Sequence, residues 1–322
     1  MFCRVVCRAT KKKISLKTTG IFLLALFAFL ANGTAQSRSR SNLPLRPENH
    51  SFYPLRDQVD PTLEKALLRQ LNRNPHWQEL IARKHMSVGL VDLSNPHQVR
   101  FARINGNEMM YAASLPKIAI LLASMDAIEK GELSDTPEIR RDLRIMISKS
   151  DNQASTRMID RLGYEKIAKV LTDPKYELYD EEYGGGLWVG KRYAASGARY
   201  PDPIQGLSHA ATASQVCRFY YLLINGRLVS YQRSKEMLDL MGNPELHHKF
   251  VNTLDRLHPE ARLYRKSGSW REFHSDSILV WGPKNRYILV GLLQNPEGEM
   301  ILRQLVQEVE TVLHQTPASA SR

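Results

Sequence analysis

The stretch YAASLPKIAILL, Tyr111 to Leu122, decides how this chain is read. Ser114 and Lys117 stand three residues apart, a spacing that places hydroxyl and amine on one face of a helix. Pro116 is tolerated only within the first turn of a helix, so the helix is expected to start close to Ala113 or Ser114. The apolar run beyond it extends toward Gly131, where glycine is the usual stop. A serine hydroxyl becomes a useful nucleophile when a neighbour takes its proton, and a lysine held neutral by its surroundings can do so. One S-x-x-K is expected by chance in roughly every chain of this size. The motif therefore needs support from elsewhere in the sequence.

Working outward, the periodicities alternate between the two ends of the chain and its middle. A helical pattern covers about 61–84, followed by strand-like runs at 87–93 and 99–104 with a turn at Asn95-Pro96. Helical segments follow at about 137–149, 151–162 and 164–171, then at 213–225 and 230–241. Three strands, at about 261–268, 273–281 and 286–294, precede a last helix over 299–313. The order implies an α+β fold: an antiparallel sheet built from N- and C-terminal strands, flanked by terminal helices and a helical subdomain. Residues 172–210 lack periodicity, and a loop of that length in a compact domain is usually functional or mobile.

Two further groups carry chemistry. Ser150-Asp151-Asn152 falls at a junction between helices. There a second hydroxyl can relay a proton, and an asparagine can hold both a lysine and a substrate amide. A helix cap is the alternative use of Ser150 or Asp151. Lys266-Ser267-Gly268 ends the first late strand. Its lysine and hydroxyl can hold a carboxylate, and its glycine admits close backbone approach.

S-x-x-K, S-D-N and K-S-G in this order resemble the signature of class A β-lactamase-like serine hydrolases, a branch of the penicillin-recognising superfamily. The resemblance covers about Pro61 to His314, and it includes RKSGSW followed by SDSILVWGP as the last strands. It implies that Ser114 is acylated, that Lys117 is its base or proton relay and that Ser150 passes the proton onward. Asn152, Lys266 and Ser267 would bind substrate. The backbone amides of Ser114 and Ser269, just past Gly268, would form an oxyanion hole. The implied function is an exported hydrolase that is acylated by β-lactams or related amides and hydrolyses them. The alternatives are a D-alanyl-D-alanine carboxypeptidase or a slowly deacylating penicillin-binding sensor domain.

The chain departs from that family's pattern in one important respect. The family's E-x-x-x-N deacylation motif is absent, because no Asn occurs between Asn152 and Asn225. Glu177, Glu181 and Glu182 are the nearest carboxylates. With Lys191 and Tyr193, Glu181 and Glu182 make the expected deacylation loop. Ser267 replaces the usual threonine, and His274 and Asp276 are further residues that can face the cleft. The glycine-rich stretch YGGGLWVGKRY, Tyr183 to Tyr193, imitates a phosphate loop. It carries Arg192 where a magnesium-binding Ser or Thr belongs, so it is not read as one.

Bulk composition frames these readings. The 322 residues carry a formal charge of +12 and are 43% hydrophobic, which is ordinary for a globular chain. Arg4, Arg8, Lys11, Lys12, Lys13 and Lys17 precede the apolar run GIFLLALFAFLA and the small residues NGTAQ, the pattern of an export signal over 1–35. An uncleaved anchor is the alternative. Removing this segment takes the charge from +12 to +6, which leaves little to support nucleic-acid binding. Residues 36–58 read as a flexible basic linker, 59–316 as the enzyme domain and 317–322 as a disordered tail. Cys3 and Cys7 fall in the export segment, and Cys217 sits in an apolar helical run where packing is its expected role. No G-x-S-x-G elbow is present, and His247-His248 lack zinc-site spacing. The reading calls for a monomer with no metal and no cofactor.

Overall fold

The computed structural model describes residues 44–317 apart from 48, 49 and 96. The expected export segment, the first part of the linker and the tail after 317 lie outside the described residues. In chain order the helices are α1 (Pro61–Leu71), α2 (Pro75–Ala82), α3 (Lys117–Glu129), α4 (Pro137–Ser148), α5 (Asn152–Leu162), α6 (Tyr164–Leu171), α7 (Ala213–Ile224), α8 (Tyr231–Met241), α9 (Phe250–Leu257) and α10 (Gly298–Gln315). The strands are β1 (Met86–Asp92), β2 (Arg100–Ile104), β3 (Met110–Tyr111), β4 (Tyr179–Asp180), β5 (Gly185–Gly186), β6 (Trp188–Val189), β7 (His209–Ala211), β8 (Arg262–Trp270), β9 (Phe273–Trp281) and β10 (Arg286–Gln294).

The main sheet has the order β2-β1-β10-β9-β8, antiparallel throughout, so strands from both ends of the chain share one sheet. Every residue of β1 is buried, and so are the seven inner residues of β10. These central strands are covered on both faces, which their near-continuous apolar sequences require. On one face lie α1 and α10, with Leu63, Leu67, Leu302 and Leu305 packed against Val88 and Leu289. On the other lies the helical subdomain, with α3 at its centre. All of α3 from Lys117 to Ile128 is buried, matching a helix that is apolar on every side.

The structure sharpens several expectations. The single helical pattern over 61–84 is two helices, because Asn74 caps a new start at Pro75 with its side chain. Helix α9 lies outside the helical segments expected from the sequence. Residues 172–210 are not one irregular loop: β6 joins β3 and β7 in a small sheet, and β4 pairs with β5. The described residues of the expected linker are held to the domain at several points. Leu55 is buried in the core, Arg46 N donates to Ile224 O at 2.8 Å, and Tyr221 donates its hydroxyl to Tyr53 O at 3.1 Å. Apolar Leu45, Phe52 and Leu55 carry enough burial to anchor a segment whose polar composition suggested freedom. Cys217 is fully buried against the sheet, and burial pushes its thiol well above the usual range. No helix among the described residues is long and apolar enough to cross a membrane.

Candidate active site

Ser114 lies in a tight turn between β3 and α3. The regular helix begins at Lys117, three residues later than the sequence suggests, because Pro116 occupies its N-cap. Successive short-range bonds from Leu115 N to Ala112 O and from Lys117 N to Ser114 O wind the chain into it. Ala113, just before the serine, has φ +49°. A left-handed alanine is disfavoured, and such strain gathers where surrounding structure must aim a side chain.

Lys117 is fully buried. Its Nζ donates to Ser150 O at 2.6 Å and to Asn152 Oδ1 at 2.8 Å, and it lies 3.4 Å from Ser150 Oγ. Burial pushes its pKa down to about 7, partly opposed by the nearby Asp151 carboxylate. Asp151 caps α5 by accepting from Ala154 N at 2.6 Å. Capping thus falls to the aspartate, while Ser150, at φ +59°, turns its hydroxyl into the site.

Lys266 enters from β8, buried, and donates to Ser150 Oγ at 2.8 Å and Ser267 O at 2.7 Å. Burial, with Lys117 and Arg265 nearby, holds its pKa well below the lysine range. Gly268 brings β8 into backbone contact with the serine loop. A Cβ there would lie 2.5 Å from Ser114 N and clash with Ala112 O. Across that contact Ser275 donates its hydroxyl to Ala112 O at 2.8 Å. S-x-x-K, S-D-N and K-S-G, remote in sequence, thus converge on one point.

That point opens into a cleft of about 880 Å³, lined by Ser114, Asn152, Ser269, Trp270 and Phe273 together with residues of the 190s. Lys191 and Tyr193 are among its walls, as the sequence suggests. The Tyr193 ring lies 4.4 Å from Lys117 Nζ, and its hydroxyl donates to Ala113 O at 3.3 Å. Glu181 and Glu182 are corrected: they are exposed on a short turn stabilised by Asp180, and they do not line the cleft. Glu177 instead pairs with Arg56 and with Arg218. His274 and Asp276 are also off the cleft. Asp276 is buried in a two-pronged pair with Arg265, both contacts 2.8 Å, and His274 packs against Gly298. No carboxylate lines the cleft, and no group of residues suited to a metal ion occurs among the described residues.

Three residues near the site escaped the sequence reading. His209 is buried beside Tyr193 with ring centroids 4.3 Å apart, and its pKa falls to about 4, mainly through burial. His248 Nε2 lies 3.2 Å from Ser267 Oγ, and burial likewise lowers it to about 4, so it is neutral at pH 7. Lys249 is fully buried behind β8, donating to Gly268 O at 2.5 Å, Ser269 Oγ at 2.7 Å and Ser275 O at 3.1 Å. A lysine between two histidines and an apolar helix offers no sequence signal of that role. Only the pairing of β8 with β9 brings its acceptors together.

Comparison with known proteins agrees with this geometry. The model of the β-lactamase enzyme family matches residues 76–142 and 136–316. No curated protein matches the chain. Among solved structures, a β-lactamase from Sphaerobacter thermophilus DSM 20745 is similar with a TM-score of 0.60 at 16% identity, covering 79% of this chain and 99% of that one. PBP-A is similar with a TM-score of 0.59 at 17% identity, covering 84% and 100%. A class A β-lactamase representative from Bacteroides cellulosilyticus DSM 14838 has a TM-score of 0.57 at 16% identity, covering 80% and 100%. At these identities the structures speak for the fold, while the family match spans most of the chain. A three-motif serine site set between an antiparallel sheet and a helical subdomain, together with that match, places this chain in the β-lactamase enzyme family of penicillin-recognising serine enzymes.

Proposed function

We propose that this protein is a serine amide hydrolase that is acylated at Ser114 by β-lactams or related amides and releases the acyl group slowly. The buried Lys117 amine, held at Ser150 and Asn152 with its pKa near neutrality, carries this reading. In the proposed cycle Ser114 Oγ attacks the amide carbon while its proton passes to the neutral amine of Lys117. The tetrahedral oxyanion would sit between the amides of Ser114 and Ser269. Ser150 then hands its proton to the leaving nitrogen as the C–N bond breaks and takes one back from the protonated Lys117, 3.4 Å away. Asn152 orients the amide, and Lys266 with Ser267 binds the substrate carboxylate, whose arrival favours the charged form of Lys266.

Slow release follows from what lines the cleft. Attack of water on the acyl-serine needs a base, and the cleft wall supplies Tyr193 and a neutral His209 but no carboxylate. Burial raises the Tyr193 phenol well above its ordinary range, so it stays protonated at neutral pH. His209, at about 4, is too weak a base, and the substrate carboxylate holds Lys266 charged, so Lys117 is left to activate water. The open cleft, with aromatic Trp270 and Phe273 at its edge, also suits an extended peptide ending in D-alanyl-D-alanine as the natural substrate. The basic and apolar leader supports action outside the cytoplasm.

Intact-mass spectrometry after mixing with benzylpenicillin tests the reading. A persistent adduct of one whole penicillin on Ser114, absent in Ser114→Ala, is expected. Rapid loss of the adduct with product accumulation would reveal an efficient hydrolase instead, and no adduct at all would overturn acylation.

A further inference from the structure

The cleft wall opposite β8 carries charge that the acylation cycle does not use. Lys191 and Arg199 face each other as an antiparallel bridge, and both line the cleft. Like charges directly opposed across a strand pair destabilise it. Neither has a carboxylate partner among the described residues. Lys191 Nζ reaches only Ala195 O, at 3.2 Å, and Arg199 Nη2 only Gly206 O, at 3.1 Å. Arg192, between them in the same wall, is by contrast paired with Asp160 at 2.5 Å. Arg233, likewise, reaches both Glu129 and Glu236 at 2.8 Å.

The backbone carrying these two cations is firmly held. Tyr200 N donates to Gly190 O at 2.7 Å, and Trp188 Nε1 donates to Tyr200 O at 2.8 Å. His209 Nε2 donates to Lys191 O at 3.0 Å. Gly190 is required here, since a Cβ would collide with Tyr200 O. The opposed charges are therefore held together by a rigid frame. The neighbouring Ser208 adds a hydroxyl to the same wall.

We propose that Lys191 and Arg199 form a second anion subsite, which selects substrates bearing a carboxylate on the acyl side in addition to the carboxylate that Lys266 and Ser267 would hold. The proposal rests on the acylation reading and narrows its substrate class to dianionic amides. Two cations without a carboxylate partner among the described residues, on one wall of a cleft with no acidic lining, would give a preference of roughly tenfold. Added salt weakens it, because both groups face solvent.

The test compares benzylpenicillin with carbenicillin, which is the same molecule with one further carboxylate on its side chain. Calorimetric titration of the Ser114→Ala protein reads binding without acylation. Carbenicillin is expected to bind about tenfold more tightly at low salt, with the ratio falling toward one in 0.5 M salt and in a protein that also carries Lys191→Ala and Arg199→Ala. Equal affinities for the two penicillins, binding of neither, or a preference that survives the double substitution would overturn the subsite. Mass spectrometry of the unsubstituted enzyme separately reads acylation. A binding preference without any adduct would sink acylation at Ser114 and leave the subsite standing. Adducts without a preference would do the reverse.

Discussion

Lys117 and Lys266 meet at one hydroxyl: their Nζ atoms lie 3.4 and 2.8 Å from Ser150 Oγ, although Lys266 comes from the far end of the chain. Two buried amines sharing one acceptor cannot both keep a full charge cheaply, and both have lowered pKa values. Burial lowers both, Lys117 adds to the lowering of Lys266, and a neutral lysine is thereby available near physiological pH.

The rate of Ser114 acylation is expected to rise with pH and reach half its maximum near 7, where Lys117 loses its proton. Stopped-flow measurement with a fluorescent penicillin between pH 5 and 9 checks this, and a flat profile would contradict it. Stability carries the same sign. Lys117 falls from about 10.5 to about 7 in the folded state. Below 7 both states are protonated and the burial penalty is complete. Between 7 and the unfolded value the unfolded chain binds more protons, so stability grows with pH. Lys249, lowered to about 8 by burial, adds to the trend in the upper part of this window.

Gly268→Ala places a methyl group 2.5 Å from Ser114 N and against Ala112 O. Both neighbours are backbone and cannot swing away, so β8 must retreat from the serine loop. Acylation is expected to fall by about 10²-fold or more, the scale of losing one oxyanion donor. A variant that folds and acylates at the unsubstituted rate would show that this contact does not set the oxyanion geometry.

Lys249→Met keeps the volume but removes the donor shared by Gly268 O, Ser275 O and Ser269 Oγ, leaving Gly268 O the longer bond from Ser275 Oγ at 3.3 Å. Loss of a desolvated amine offsets part of the ~1–3 kcal/mol cost of each unmet acceptor. The melting temperature should therefore fall, and the acylation rate should drop by at least about tenfold through displacement of Ser269. Thermal melts and acylation rates measured on the same preparation separate the two effects. A large melting shift with an unchanged rate would mark Lys249 as purely structural.

Asp276→Asn breaks a buried pair whose two contacts to Arg265 are both 2.8 Å. Arg265 also donates to Leu246 O and His248 O, tying the segment before α9 to β8. An unpaired buried guanidinium costs about 3–5 kcal/mol. Urea unfolding should show a loss of that size, and a loss under 1 kcal/mol would mean that water or another acceptor reaches Arg265.

The sequence by itself determined the sheet, the main helices and the residue types that meet at Ser114. Apolar strand runs, the proline after the serine and the three ordered motifs are local signals, and they survive without knowledge of the rest of the chain. Helix α9 and the division of α1 from α2 were less legible, being short elements set by a cap or by packing. Which side chains face the cleft was decided by tertiary structure alone. Glu181 and Glu182 lie close in sequence to Lys191 and Tyr193, yet Asp180 and the left-handed Gly184 turn them out to solvent. Lys249 became a clamp only because β8 and β9 bring three acceptors to one buried amine. Local sequence sets which way a strand or helix runs. Burial and hydrogen bonding between distant segments decide where its functional groups point, and those energies exist only once the sheet has closed.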